Sequence, residues 1–165
     1  MTIREAQPDD AQSLINMFHT LDNETRFMMF EPGERQLSLE NQQKRLKAFQ
    51  SQTQETMLLG LIESKIVGFI VGSGGRFKRN KHSLFIVLGV LQAYTGRGVG
   101  KKLMQSLETW AKDNDFHRLE LTVMKHNNRA KGLYEYCGFE YEGIKRDSLF
   151  VDGCYVDELY MSKLI

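Results

Sequence analysis

The chain has 165 residues, 41% of them hydrophobic and 26% charged, the make-up of one ordinary globular domain able to bury a core. Its 22 lysines and arginines nearly balance 21 aspartates and glutamates, and a net charge of +1 excludes a nucleic-acid footprint spread over the whole surface. Cys137 and Cys154 are the only cysteines, in no C-x-x-C spacing, which excludes a disulfide framework and a cysteine metal cluster.

The N-terminal stretch MTIREAQPDD lacks a basic region followed by an apolar one, and no apolar run approaches the roughly 18 residues of a membrane span. A cytoplasmic protein with no membrane partner is expected. Weak alternation over Thr2–Glu5 predicts a first strand. Pro8-Asp9-Asp10 opens a helix in which Ala11, Leu14, Ile15, Phe18 and Leu21 share one face. Glu24 to Arg35 is irregular, and its Met28-Met29-Phe30 cluster reads most simply as core. Ser38 is placed to cap a polar helix running to about Gln52.

Thr56–Glu63 and Ile66–Gly72 are apolar, β-rich runs separated by Ser64-Lys65, the pattern of a hairpin. The basic run Arg76–His82 reads as a solvated hairpin tip before a third strand, Ser83–Leu91. Val99, Leu103, Leu107 and Trp110 make the buried stripe of a helix. Arg118–Met124 alternates as a strand, and Ala130, Leu133, Tyr134 and Cys137 face inward on the next helix. Two closing strands, Glu140–Arg146 and Cys154–Ser162, flank a turn at Asp152-Gly153. No repeat or linker divides the chain, so residues 1–165 form a single domain. The order β-α-α-β-β-β-α-β-α-β-β predicts an α/β fold: a mixed, mostly antiparallel central sheet with helices on both faces.

The segment between the third strand and its helix carries the chemistry. Glycines at 96, 98 and 100 precede Lys101 and Lys102 at a helix start, where unpaired amides and the helix dipole attract phosphate. A Walker loop would need glycine at 95 and Ser or Thr at 102, but the chain has Thr95 and Lys102. A dinucleotide fingerprint fails too, because its third glycine would fall on Lys101 or Leu103.

Gly96-Arg97-Gly98-Val99-Gly100-Lys101 after an apolar strand resembles the pyrophosphate loop of the GNAT superfamily of acetyl-CoA-dependent N-acetyltransferases, with Thr95 where that loop usually has Gln or Arg. A second block, Asn127 to Phe139, resembles the family's N-x-x-A-x-x-L-Y-x-x-x-G-F signature. The resemblance implies a sheet splayed at the cofactor strand and acetyl-CoA as co-substrate, with no metal. The edge Leu88-Gly89-Val90 would pair with the pantetheine arm, Gly89 would be a bulge residue and the Val90 amide an oxyanion donor. The 96–101 amides would hold the diphosphate, Asn127 the pantetheine or a water, and Lys131 a phosphate. The 76–82 run has a sharper reading as a contact for the adenosine 3′-phosphate or an acidic partner.

On pattern alone Tyr134 is a core tyrosine; the resemblance makes it the general acid that protonates the departing thiolate. Neither cysteine has a nucleophile's surroundings, which agrees with direct attack by the amine. The family's acceptor cleft would use the first helix-loop-helix region, here Phe27, Phe30 and Glu31, and the segment Tyr155-Val156-Asp157-Glu158 is placed to add carboxylates. No general base is assigned. Ser83–Leu91 holds no carboxylate, and where ribosomal-protein alanine acetyltransferases place one this chain has Thr122. Glu120, His126, Glu31, Asp157 and a water relay all stay open. The expected acceptor is a small amine (polyamine, amino acid or antibiotic) or a protein N-terminus, with a homodimer left open. The alternative is a non-catalytic coenzyme A-binding sensor or interaction module.

Overall fold

The computed structural model describes every residue from Met1 to Ile165. Its elements are β1 (Thr2–Glu5), α1 (Ala11–Glu24), α2 (Leu39–Gln50), β2 (Glu55–Ile62), β3 (Lys65–Gly74), β4 (Ser83–Val90), α3 (Val99–Asp113), β5 (Arg118–Met124), α4 (Asn128–Tyr136), β6 (Glu140–Val151) and β7 (Cys154–Leu164). The order is the one the periodicity predicts. The seven strands form one open sheet, β1-β2-β3-β4-β5-β7-β6, in which only the β4–β5 pair is parallel.

The central strands β2 and β3 send alternate side chains to two cores, one on each face of the sheet. On one face Leu84, Ile86, Leu119 and Leu121 meet Leu103 and Leu107 of α3 together with Tyr134 of α4. On the other, Leu59 and Phe69 meet Leu14 and Phe18 of α1 and Leu46 of α2. Burying a leucine completely, as at Leu103 and Leu107, contributes about 2 kcal/mol each. α3 lies unusually close to the sheet. A Cβ added at Gly60 or at Gly68 would sit 3.1 Å from Val99 Cγ1, so larger residues there would lift the helix's first turn.

Several strand ends shift by a residue or two from the sequence reading, and two differences bear on the fold. The β2–β3 turn is at Glu63-Ser64, not Ser64-Lys65, with φ of 49° and 64° at two residues that carry no sequence signal for such a turn. β6 does not stop at Arg146. The pairing with β7 shifts between Lys145 and Leu149, a bulge in which Asp147 takes φ 49° and gives its amide to Asp157 Oδ1 at 3.0 Å. The strand resumes and reaches Val151, making a long hairpin whose tip lies against the segment 25–32. An Asp-Ser pair looks like a strand end in sequence, but here it is an interruption.

Candidate active site

β4 pairs with β3 in unbroken register from Leu84 to Val90, but with β5 only from Ser83↔Arg118 to Phe85↔Glu120. Beyond that point the two parallel strands part. Leu91 donates its amide to Val67 O at 2.9 Å, so alternation turns the Leu88 and Val90 amides away from β3 and into the gap. This agrees with the expected free edge at Leu88-Gly89-Val90. The expected bulge at Gly89 is absent, however. The extra residue lies in β3, at Val67, where the register passes from Gly60↔Gly68 to Leu61↔Ile66. Gly89 is required for another reason: a Cβ there would meet Phe69 Cε1 at 2.5 Å and Leu21 Cδ2 at 2.7 Å.

The chain leaves the gap through the glycine loop. Gly96 and Gly98 have φ of 75° and 78°, and a Cβ on either would face open space. That conformation suits glycine, and it leaves the backbone approachable. Gly98 caps α3 with no side-chain bond, and the first amide to pair is Lys102, to Gly98 O at 3.1 Å. The amides of residues 96 to 101 therefore have no acceptor within the protein. No acidic side chain lies in the helix's first turn. Lys101 bonds the Tyr136 hydroxyl and lies 4.4 Å from that ring's centroid, while Arg97 lies 5.3 Å over Tyr94. Gly100 lets α4 close in, since a Cβ would be 2.8 Å from Leu133 Cδ2.

α4 supplies the second block. Asn127 Oδ1 accepts from the Ala130 amide at 3.2 Å, so this asparagine is first of all a helix cap, with only its side-chain NH2 left for a ligand. Lys131 is half-buried and has no ion-pair partner. Tyr134 is 7% exposed, its ring 6.0 Å from that of Phe139, and its hydroxyl makes no hydrogen bond within the protein. Burial, aided by the neighbouring Cys137 thiol, pushes its pKa up to about 12.

The sequence profile described as the acetyltransferase (GNAT) family matches residues 15–139. The chain is a GNAT family protein. Its fold superposes on that of an acetyltransferase of the GNAT family from Streptococcus pneumoniae with a TM-score of 0.96 and 29% identity, covering 99% of both chains. A putative acetyltransferase from Salmonella typhimurium, solved with its cofactor acetyl-CoA, gives a TM-score of 0.87 at 19% identity, covering 99% of this chain and 93% of that one. The uncharacterized N-acetyltransferase YycN of Bacillus subtilis is 29% identical over 82 residues, 50% of this chain, and the match spans 53% of its own length.

On the α1 side of this GNAT fold, a cavity of about 210 Å³ lies between the segment 25–32 and the β6–β7 hairpin tip. Met28, Phe30, Met124, Leu149 and Phe150 give it apolar walls, with Glu31 and Asp152 as acidic groups. Of the three residues expected at an acceptor cleft, Phe30 and Glu31 line it, whereas Phe27 lies 5.2 Å from the His126 ring and does not. Arg35 anchors the segment. It holds the buried Asp22 carboxylate at 2.7 and 3.0 Å and lies 4.1 Å beneath Phe30 and 4.6 Å from Phe18. The basic run 76–82 is the β3–β4 hairpin tip, as expected, but it precedes β4 while the glycine loop follows it. An eight-residue strand separates the two by about 26 Å along its length, so a 3′-phosphate contact there is a poor fit.

The sequence reading missed Arg129 and left Glu158 among several carboxylates. Arg129 Nη1 donates to Thr95 Oγ1 at 2.6 Å, bringing a guanidinium to the loop position that lacks a basic residue. Glu158 is 5% exposed and accepts from Thr122 Oγ1 at 2.7 Å, Ser148 Oγ at 2.8 Å and Lys145 Nζ at 3.3 Å. An acidic residue on a face shared with Val156 and Tyr160 of β7 was the available signal.

Proposed function

We propose that this protein transfers the acetyl group of acetyl-CoA to a primary amine by direct attack. The observation that carries the reading is the parting of β4 from β5 after Phe85↔Glu120, with free Leu88 and Val90 amides beside the gap and unpaired α3 amides at its end. Acetyl-CoA fits this arrangement. Its diphosphate would meet the amides of Gly96, Arg97, Gly98, Val99, Gly100 and Lys101 across space that no Cβ occupies, and its amide-bearing arm would find the open edge Leu88-Gly89-Val90. When bound, the thioester supplies an acyl group activated by a good leaving thiolate.

The chain's own groups do the rest. The Val90 amide donates to the carbonyl oxygen as negative charge grows on it, a stabilisation larger in a dry cleft than in water. Tyr134 keeps its proton across the physiological range and offers it to the sulfur as the C–S bond breaks. The Asn127 NH2 and Lys131 support the arm and a phosphate. No step uses a metal or a cysteine.

The acceptor is an amine whose carbon frame tolerates the methionine and phenylalanine walls of the 25–32 cavity and whose positive charge suits Glu31, Asp152 being paired with Arg26 at 3.4 Å, either a small molecule or a protein N-terminus. The test is thiol release from acetyl-CoA across a panel of polyamines, amino acids, aminoglycosides and N-terminal peptides. Release that depends on one class of amine supports the reading. Cofactor binding with no amine-dependent release from any of them would favour a coenzyme A-binding sensor.

A further inference from the structure

We propose that Glu158, working through the hydroxyl of Thr122, receives the proton that the acceptor amine gives up. The inference rests on the acetyl-transfer reading and adds the proton acceptor it lacks. A carboxylate buried on a strand paired on both sides is expensive to place, and an apolar side chain would hold β7 at least as well. Its bonding is lopsided in a useful way. Oε2 is occupied by Ser148 and Lys145, whereas Oε1 takes one bond, from Thr122. Because the Thr122 hydroxyl spends its proton on Glu158, its oxygen can only accept from any third group. A hydroxyl fixed this way is a proton relay pointing towards the carboxylate.

The position matches the task. Glu120 is the last β5 residue paired with β4, and Thr122, two residues on and on the same sheet face, borders the opening gap. Met124, two further, lines the acceptor cavity and stands directly opposite Glu158 in the β5–β7 register. Ser148 adjoins Leu149, another wall residue of that cavity. Glu158 thus lies one residue behind both places: its partner Thr122 borders the cofactor gap, and its register neighbour Met124 lines the acceptor cavity.

The groups facing it are Thr122 from β5 and Lys145 and Ser148 from β6. Asp157 faces the opposite side, tied to Lys125 at 3.6 Å and to the Asp147 amide. Burial pushes the Glu158 carboxyl up, but the bonds from Thr122, Ser148 and Lys145 outweigh it and keep the pKa below the ordinary glutamate value, so the group is ionised at neutral pH.

The step balances. The neutral amine's lone pair forms the C–N bond to the thioester carbonyl carbon, and its nitrogen becomes cationic. One N–H proton passes to Thr122 Oγ1 as the hydroxyl's own proton moves to Glu158. The C–S bond breaks, and the sulfur takes the Tyr134 proton. Solvent returns a proton from Glu158 to Tyr134, leaving both as they began.

The experiment uses the full chain, acetyl-CoA and whichever panel amine it acetylates. Glu158→Gln, close in shape, is expected to lower kcat about 100-fold while changing acetyl-CoA affinity less than threefold. Glu158→Ala is expected to regain rate in proportion to added formate, which a purely structural role would not produce. Thr122→Val should follow Glu158→Gln, and Thr122→Ser should stay near wild type, a pair that decides the matter if the Glu158 variants fail to fold. Glu158→Gln or Thr122→Val within threefold of wild-type kcat, in a wild type that does transfer acetyl, overturns this assignment and leaves the function standing. A wild type that binds acetyl-CoA and acetylates nothing overturns the parent reading and this one with it.

Discussion

The loop 96–98 and the segment 25–37 are both irregular stretches, yet they are built on opposite principles. The first presents backbone: two glycines at positive φ and a row of unpaired amides, with side chains as accessories. The second presents side chains, held by one buried ion pair (Asp22–Arg35) and by Phe30 resting on that guanidinium. A backbone site constrains sequence tightly, because glycine takes its geometry with no Cβ in the ligand's way. A side-chain site can be assembled from many residue types, so it fits one acceptor and carries no general motif.

The largest expected effect breaks the backbone half. Gly98→Glu sets a side chain and a negative charge in the space before the α3 amides, and acetyl-CoA binding should fall more than 100-fold by calorimetry. Gly98→Asn separates strain from obstruction, since asparagine accepts positive φ with a short neutral side chain. It should bind at least tenfold better than the glutamate variant. Equal loss in both would place the damage in loop shape instead of in phosphate access.

Tyr134→Phe comes next and touches chemistry without either binding half. Turnover should drop about 100-fold with acetyl-CoA affinity nearly unchanged, read as kcat against Kd. The same variant has a stability signature. The folded-state pKa of Tyr134 lies at about 12, above the 10.0 of an ordinary tyrosine, so its contribution is fully present below pH 10 and lost as pH rises through 12. Wild type should therefore lose about 2 kcal/mol more than Tyr134→Phe between pH 9 and 12, in denaturant melts at each pH.

The same division decides what the sequence revealed. The Gly96–Lys101 loop and the Asn127–Phe139 block were legible because local backbone geometry dictates their residues. The strand order was legible because alternation and helical spacing survive in every element. What stayed hidden was long-range. The bulge belongs to Val67 and not Gly89, since glycine in a strand looks the same whether it bends the chain or clears room for Phe69 and Leu21. Phe27 and Phe30 are indistinguishable in composition, and only the turn between them sends one to His126 and the other to the cavity. The partners of Glu158 come from two other strands, Thr122 from β5 and Lys145 and Ser148 from β6, so no spacing along the chain announces them.

Asp22→Asn tests the side-chain half. It leaves the Arg35 guanidinium buried without its counter-charge, a loss of about 3 kcal/mol, which in a chain of this size lowers Tm by about 10 °C. The acceptor KM should rise severalfold as Phe30 and Glu31 lose their anchor, while acetyl-CoA affinity stays within twofold. A matching fall in acetyl-CoA affinity would show that the two halves are coupled and the contrast drawn above is wrong.

The smallest effect sharpens the comparison at its one blurred point, where a side chain has entered the backbone site. Arg129 reaches from α4 to Thr95 and brings a cation to a loop position that has only a hydroxyl of its own. The guanidinium is exposed and its charge is screened by salt, so its share of diphosphate binding is modest. Arg129→Ala should weaken acetyl-CoA three- to tenfold at low ionic strength and less than twofold in high salt. Dephospho-coenzyme A, which keeps the diphosphate but lacks the 3′-phosphate, should show the same ratio between variant and wild type. A ratio that collapses with that analogue would move the Arg129 contact from the diphosphate to the nucleotide end, and the substitution of Thr95 for a basic residue would then stand uncompensated.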